Sequence, residues 1–299
     1  MPTMDRHVKA DVLLLVVTLL AAAGWVFSKE ALLGMPPLLF LGLRFLLAGV
    51  VLVAFGWAAL RALPRRTLLE AFAVGVLFSG AMMCWIMGLF FATHVGEGAF
   101  ITSLGIVLVP VIARWVYGDT PPTSTWVALP VAVAGFGLLS LNQGFRIELG
   151  QAFFLAAAVM FAFLFNINSR VAARVPAVPL TAIQLLVVGV VALLVSAFVE
   201  TWPAEVPLAV VGWLLASALL ATTLRFFIQV YAQGLTTPSH AAVIMMLEPI
   251  WTALLAAVWF SEVMSWAQFG GCLLIFLALV INRWSWVRKL IKSRLLRRA

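Results

Sequence analysis

Charge is scarce in this chain: only 10% of its 299 residues are Asp, Glu, Lys or Arg, against roughly 25% in an ordinary soluble domain. The deficit recurs in successive apolar runs of about 20 residues, the length that crosses a bilayer as a helix, which excludes a water-soluble globular protein. Histidine is equally sparse. His7, His94 and His240 are scattered, whereas a membrane enzyme acting on lipid or prenyl substrates usually gathers His, Asp or Glu at one interface, so that class is disfavoured. The two cysteines, Cys84 and Cys272, lie in apolar runs without metal or redox spacing and read as small core residues. Neither a metal site nor a cofactor is expected. No GxxxxGK[ST] loop occurs, which excludes ATP as the direct energy source. A channel's ring of like charges or filter-like segment is missing too, as are long linkers, low-complexity tracts and any stretch resembling a soluble domain.

What remains is hydrophobic: 65% of the chain, with a mean hydropathy of +1.14. Apolar runs bounded by charge, proline or polar clusters predict ten spans, at 11–28, 37–58, 68–92, 97–116, 125–142, 151–170, 179–199, 208–233, 239–260 and 266–284. The first follows Arg6 and Lys9 and contains small residues at Ala21 to Gly24, a pattern superficially like a signal peptide. The nine runs behind it favour an uncleaved span.

The cations test the count. With the N-terminus cytoplasmic, fifteen of the 19 lysines and arginines fall inside: Arg6, Lys9, Arg61, Arg65, Arg66, Arg114, Arg170, Arg174, Arg283, Arg288, Lys289, Lys292, Arg294, Arg297 and Arg298. Lys29 and Arg146 fall outside, and Arg44 and Arg225 lie within spans. The positive-inside rule therefore predicts ten helices with both termini cytoplasmic. The net charge of +8 calls for no nucleic-acid partner. Much of it sits in residues 286–299, WVRKLIKSRLLRRA, either a basic amphipathic helix on anionic lipids or a solvated topological anchor. Trp57, Trp115, Trp126, Trp202, Trp266, Trp284 and Trp286 fall near predicted span ends, as interfacial belts do.

The halves correspond. ATHVGEGAFITSL at 92–104 lies against LTTPSHAAVIMML at 235–247 with an offset of 143, which also places Asp119 on Glu262. Each half begins its second span after prolines, PP at 36–37 and PAVP at 176–179. Five spans repeated once must enter the membrane from opposite sides. That is the inverted-topology repeat by which many secondary transporters alternate access to a midplane site.

The stretch YAQGLTTPSHAAVIMMLEPIWTALLAAVWFSEVMSWAQFGG at 231–271 resembles the penultimate-helix pattern of the drug/metabolite transporter superfamily, in its EamA-type ten-span branch. That pattern runs from an Ala-rich start through Leu-Glu-Pro and an apolar helix to a Gly-Glu pair. Ser261 stands here where the glycine is usual. LRFLLAG at 43–49 resembles the arginine-bearing second helix, and the Leu-Glu-Pro position of the first half is degenerate, LGIVLVP at 104–110. The resemblance covers essentially the whole chain. It implies an all-α membrane protein of ten transmembrane helices, two inverted five-helix repeats around a central cavity (1–148 and 149–285) and a basic cytoplasmic tail (286–299). The implied function is not enzymatic: secondary transport, exporting amino acids or related small metabolites across a bacterial inner membrane. Export of organic cations, drugs or another metabolite is the alternative. Partners would be the small-molecule substrate and membrane lipids, with the protein a monomer or homodimer.

Glu248 and Arg225 both fall roughly 12 to 14 Å from the inner ends of their spans, at 1.5 Å per helical residue. An unpaired charge there costs at least a few kcal/mol, so they are a buried ion-pair candidate. Glu248 has three roles open to it: pairing with Arg225 or capping backbone freed by Pro249, binding a substrate amino group, or carrying a coupling proton. Arg44 either snorkels to carbonyls, Glu30 or Glu97, or binds a substrate carboxylate. Met83 and Trp85, in FSGAMMCWIMG at 78–88, line the pathway as a soft surface or simply pack. Trp25, Trp85 and Trp251 lie far from both interfaces, where an indole needs a partner or a wet cavity. His94 reads as a loop residue rather than a ligand. Asn166, Asn168 and Gln229 are candidates to face the bundle interior, and Pro110, Pro130 and Pro249 are gate or hinge candidates.

Overall fold

The computed structural model describes residues 2–118, 123–141, 148–172, 175–233, 235, 244–282 and 284. The basic tail, Asp119, and the ninth run's start at 239–243 lie outside them, as does the side chain of Asn168. Helices occupy the expected runs: α1 Pro2–Ala31, α2 Pro37–Arg61, α3 Arg65–Phe91, α4 Val95–Tyr117, α5 Thr123–Leu141, α6 Leu149–Ala172 and α7 Ala177–Val199. The eighth run is a composite of α8 (Leu208–Ala216), a π-helical segment Ser217–Leu224, and α9 (Arg225–Gln233). Then come α10, Glu248–Trp259, and α11, Trp266–Asn282.

Seven of the described helices are long and apolar enough to cross a membrane. The residues facing away from the core are large and apolar, Phe198 at 88% and Leu208 at 84% exposure among them, a surface that suits lipid and not water. Trp57, Trp115, Trp126, Trp202, Trp266 and Trp284 are all exposed close to helix ends, as an interfacial belt requires.

Helix packing is paired across the halves: α2 lies along α7 and α5 along α11. The other contacts come in matching sets. Helix α6 receives α3 and α4, and α1 receives both the composite eighth helix and α10. Pro110 lies inside α4 without orphaning a carbonyl. Pro110 lacks the N–H that would bond Ile106 four residues back, and the Asn282 amide donates to the Ile106 carbonyl instead, at 3.2 Å. Pro130 lies within α5. Pro249 sits in the first turn of α10, where a missing N–H costs nothing, just after turn residues Met246 and Leu247.

Helices α4 and α10 end alike. Gly118 takes φ +73° and its N–H bonds the Arg114 carbonyl at 3.0 Å. Ser261 takes φ +53°, with the Phe260 and Glu262 N–H groups both reaching back to Ala256. The left-handed region costs a residue with a Cβ roughly 1–2 kcal/mol. Ser261→Gly is therefore expected to stabilise the protein by about 1 kcal/mol, read as a higher unfolding midpoint in detergent, whereas an unchanged midpoint would mean the serine is not strained.

Candidate functional site

Local sequence makes the centre of the bundle polar. The run SALLATTL forms a π-helix because adjacent threonines bond the backbone: the Thr222 and Thr223 hydroxyls donate to the Ser217 and Ala218 carbonyls five residues back, at 2.9 Å each. The α1 backbone approaches this segment closely. A Cβ on Gly24 would lie 2.8 Å from Ala221 Cβ and 3.7 Å from Arg44 Nη2.

Into this layer α2 sends Arg44, only 5% exposed. Its Nε donates to Thr222 Oγ1 at 2.7 Å and its Nη1 to Ser28 Oγ at 2.8 Å. Ser28 in turn donates to the Gly24 carbonyl. The guanidinium also lies over the Phe45 and Trp85 rings, 5.4 and 5.8 Å from their centroids. The expectation that Arg44 snorkels to Glu30 or Glu97 is corrected: Glu30 accepts from the Trp259 indole and Glu97 from Gln151 and Gln268. Arg44 points inward because hydroxyls and aromatic faces lie nearer than the interface.

One helical turn beyond Thr222, Arg225 meets Glu248, with Nη2 to Oε2 at 3.6 Å and side chains 21% and 24% exposed. The two residues singled out by depth thus lie within ion-pair distance, half-buried. Trp25 Nε1 donates to the other carboxylate oxygen at 3.3 Å and packs edge-on against Trp85, centroids 4.9 Å apart. Arg44, Trp85, Trp25, Glu248 and Arg225 thus make one continuous cluster on five helices. Gln229 lies one turn past Arg225, its Oε1 buried without a partner among the described residues, and the same holds for Arg225 Nε, Trp251 Nε1 and Ser217 Oγ.

Other expected residues stand apart. Asn166 spends its amide donor on the Val109 and Ala162 carbonyls, at 2.9 Å each, tying α6 to α4 beside Pro110. Met83 is half-buried against the core. Three residues that complete the site gave no charge signal in the sequence: Ser28, Thr222 and Ser217. A pair of adjacent threonines in an apolar run was the one readable hint.

The bundle end where α1, α3 and α7 finish is held by charges on backbone. Lys29 Nζ donates to the Leu89 and Ala92 carbonyls at the end of α3, 2.8 Å each. Glu200 accepts from the Leu38 and Leu39 N–H groups opening α2, at 2.8 and 2.9 Å. Glu262 accepts from Val95 and Gly96 opening α4, at 2.7 and 3.3 Å. Each carboxylate meets a helix's positive pole and the Lys29 ammonium a negative one. Beside them lies a cavity of about 10 Å³ lined by His94, Glu97, Glu148, Gln151 and Phe154, room for one water.

A buried charge cluster at mid-bundle has its setting fixed by kinship. The family model described as the EamA-like transporter family matches this sequence twice, over residues 8–141 and 148–284. The chain belongs to the EamA-like transporter family. As a member it is a multi-pass membrane transporter of small molecules rather than an enzyme. An uncharacterized transporter of Archaeoglobus fulgidus is 28% identical over 278 residues, covering 92% of this chain and 86% of its own. A crystal structure superposes with a TM-score of 0.62 at 20% identity, covering 91% of this chain and 96% of its own, a likeness of fold alone.

Proposed function

We propose that the protein is a secondary transporter that exports amino acids or related small metabolites across a bacterial inner membrane, its termini cytoplasmic. The observation that carries this is the Arg44–Arg225–Glu248 layer: charges that cost several kcal/mol inside a membrane bundle persist where they face a pathway. The narrower placement, beside the bacterial aromatic amino-acid and methyl viologen exporter YddG, rests on sequence resemblance.

Ten spans in two inverted repeats are the architecture we infer. Support comes from the double family match, from the matched packing of helices across halves, and from the left-handed residues Gly118 and Ser261, which stand 143 positions apart like the aligned segments. With the positive-inside orientation, the end clamped by Lys29, Glu200 and Glu262 is periplasmic. Alternating access then requires those charge-to-backbone bonds to part as the cluster opens outward.

Counterflow of labelled amino acids in proteoliposomes tests the assignment. Exchange with at least one amino acid is the expected result, and no exchange with any of them would overturn it.

A further inference from the structure

The centre of the bundle holds two guanidiniums and one carboxylate. Glu248 is already engaged by Arg225 and by Trp25. Arg44 faces hydroxyls and aromatic rings, and among the described residues no carboxylate lies within ion-pair distance of it. Hydroxyls satisfy its N–H groups without neutralising its charge. Thr222, which holds Arg44, and Arg225 are three residues apart on one helix, so both cations belong to the same layer. Among the described residues Arg225 Nε and Trp251 Nε1 are buried donors without partners, and the Ser217 hydroxyl is unpartnered as well.

A net positive charge with spare donors, in a largely buried layer, is a standing cost that an anion removes. We infer that the Arg44–Arg225 layer is a carboxylate-binding site and that the transported molecule presents a carboxylate to it. Charge-assisted hydrogen bonds from two guanidiniums suit that group. A purely cationic substrate would meet two like charges for one opposite. Glu248 and the Gln229 carbonyl are left for an ammonium, so a zwitterion is accommodated. Thr222 positions Arg44 without touching the substrate. This inference rests on the transport reading and narrows its substrate class.

The test is a matched ligand series on the purified protein in nanodiscs, with binding followed by thermal shift and competition. An apolar α-amino acid is compared with its carboxamide, its decarboxylated amine and the corresponding 2-hydroxy acid. The carboxamide and the amine are expected to bind about ten-fold or more weakly, and the hydroxy acid to keep most of its affinity, since a hydrogen bond to a charged group contributes about 1.5–3 kcal/mol. Arg44→Gln should erase the distinction between acid and carboxamide, and Arg44→Lys should restore part of it. Thr222→Val should weaken acids and leave carboxamides unmoved, a pattern that loss of packing would not produce. Equal binding of acid and carboxamide to the wild-type protein overturns the inference even if amino acids are transported. Arg44-dependent binding of hydroxy acids with no binding of amino acids would uphold it while sinking the amino-acid assignment. The wild-type series decides the matter even if Arg44 variants fail to fold.

Discussion

Glu248→Gln is expected to destabilise the protein by about 2 kcal/mol, more than Arg225→Gln does. Removing one partner of a buried ion pair costs about 3–5 kcal/mol when the remaining charge is fully buried. The pair here is 21% and 24% exposed, so solvent screening reduces that figure. The asymmetry between the two variants comes from Arg44. Without Glu248, Arg44 and Arg225 stand in one layer with no carboxylate. Without Arg225, Arg44 and Glu248 still balance in charge. Glutamine keeps an acceptor for the Trp25 indole, so the loss is electrostatic rather than a lost hydrogen bond. Unfolding midpoints in detergent for both single variants and the double variant check this. The double variant is expected to be more stable than the sum of the singles by at least about 0.5 kcal/mol, as residues in one network behave. Wild-type stability for Glu248→Gln would remove the ion-pair account of Glu248 and Arg225.

Gly189→Ala should cost about 2–3 kcal/mol, because α2 and α7 touch through backbone. A Cβ at this position would lie 2.6 Å from the Leu46 nitrogen and 2.8 Å from its Cα, atoms that cannot rotate aside as a side chain can. The helices must part, and over-packing of this kind typically costs about 1–3 kcal/mol. Close approach through small residues is how helices associate in lipid, where hydrophobic burial does not drive them together. Gly212→Ala, on α8, is the control: a Cβ there meets nothing within 4 Å. It is expected to be neutral or to stabilise by up to about 1 kcal/mol, since alanine is the better helix former. Equal midpoints for the two variants would show that the α2–α7 contact tolerates separation.

The two effects differ in what a sequence can reveal. Arg225 and Glu248 drew notice because a charge in an apolar run is expensive and depth alone made them candidates for a pair. Arg44 drew equal notice, yet its partners did not. Serine and threonine are common in membrane helices, and nothing in a hydropathy pattern says that Thr222 turns towards α2 because a π-helix widens the turn beneath it. Asn166 looked like a pathway residue by polarity, and its donor turns out to be spent on the Val109 and Ala162 carbonyls. Ser261 was legible only as a departure from a glycine, with its strain visible once φ was known. Glu200 and Glu262 bond the starts of α2 and α4, and those bonds belong to no local pattern.

By itself, then, the sequence determined that this chain lives in a membrane as apolar helices, where those helices run, which charges are stranded inside them, and that its halves correspond. Those properties follow from short-range physics: a helix satisfies its own backbone within each segment, and the bilayer sets its length. The tertiary structure alone decided who meets whom. Arg44 reaches Thr222 across 178 residues and Trp25 reaches Glu248 across 223. Contacts at such separations depend on how helices approach, on which glycines let backbones touch, and on where a π-turn rotates a hydroxyl, none of which a single segment encodes.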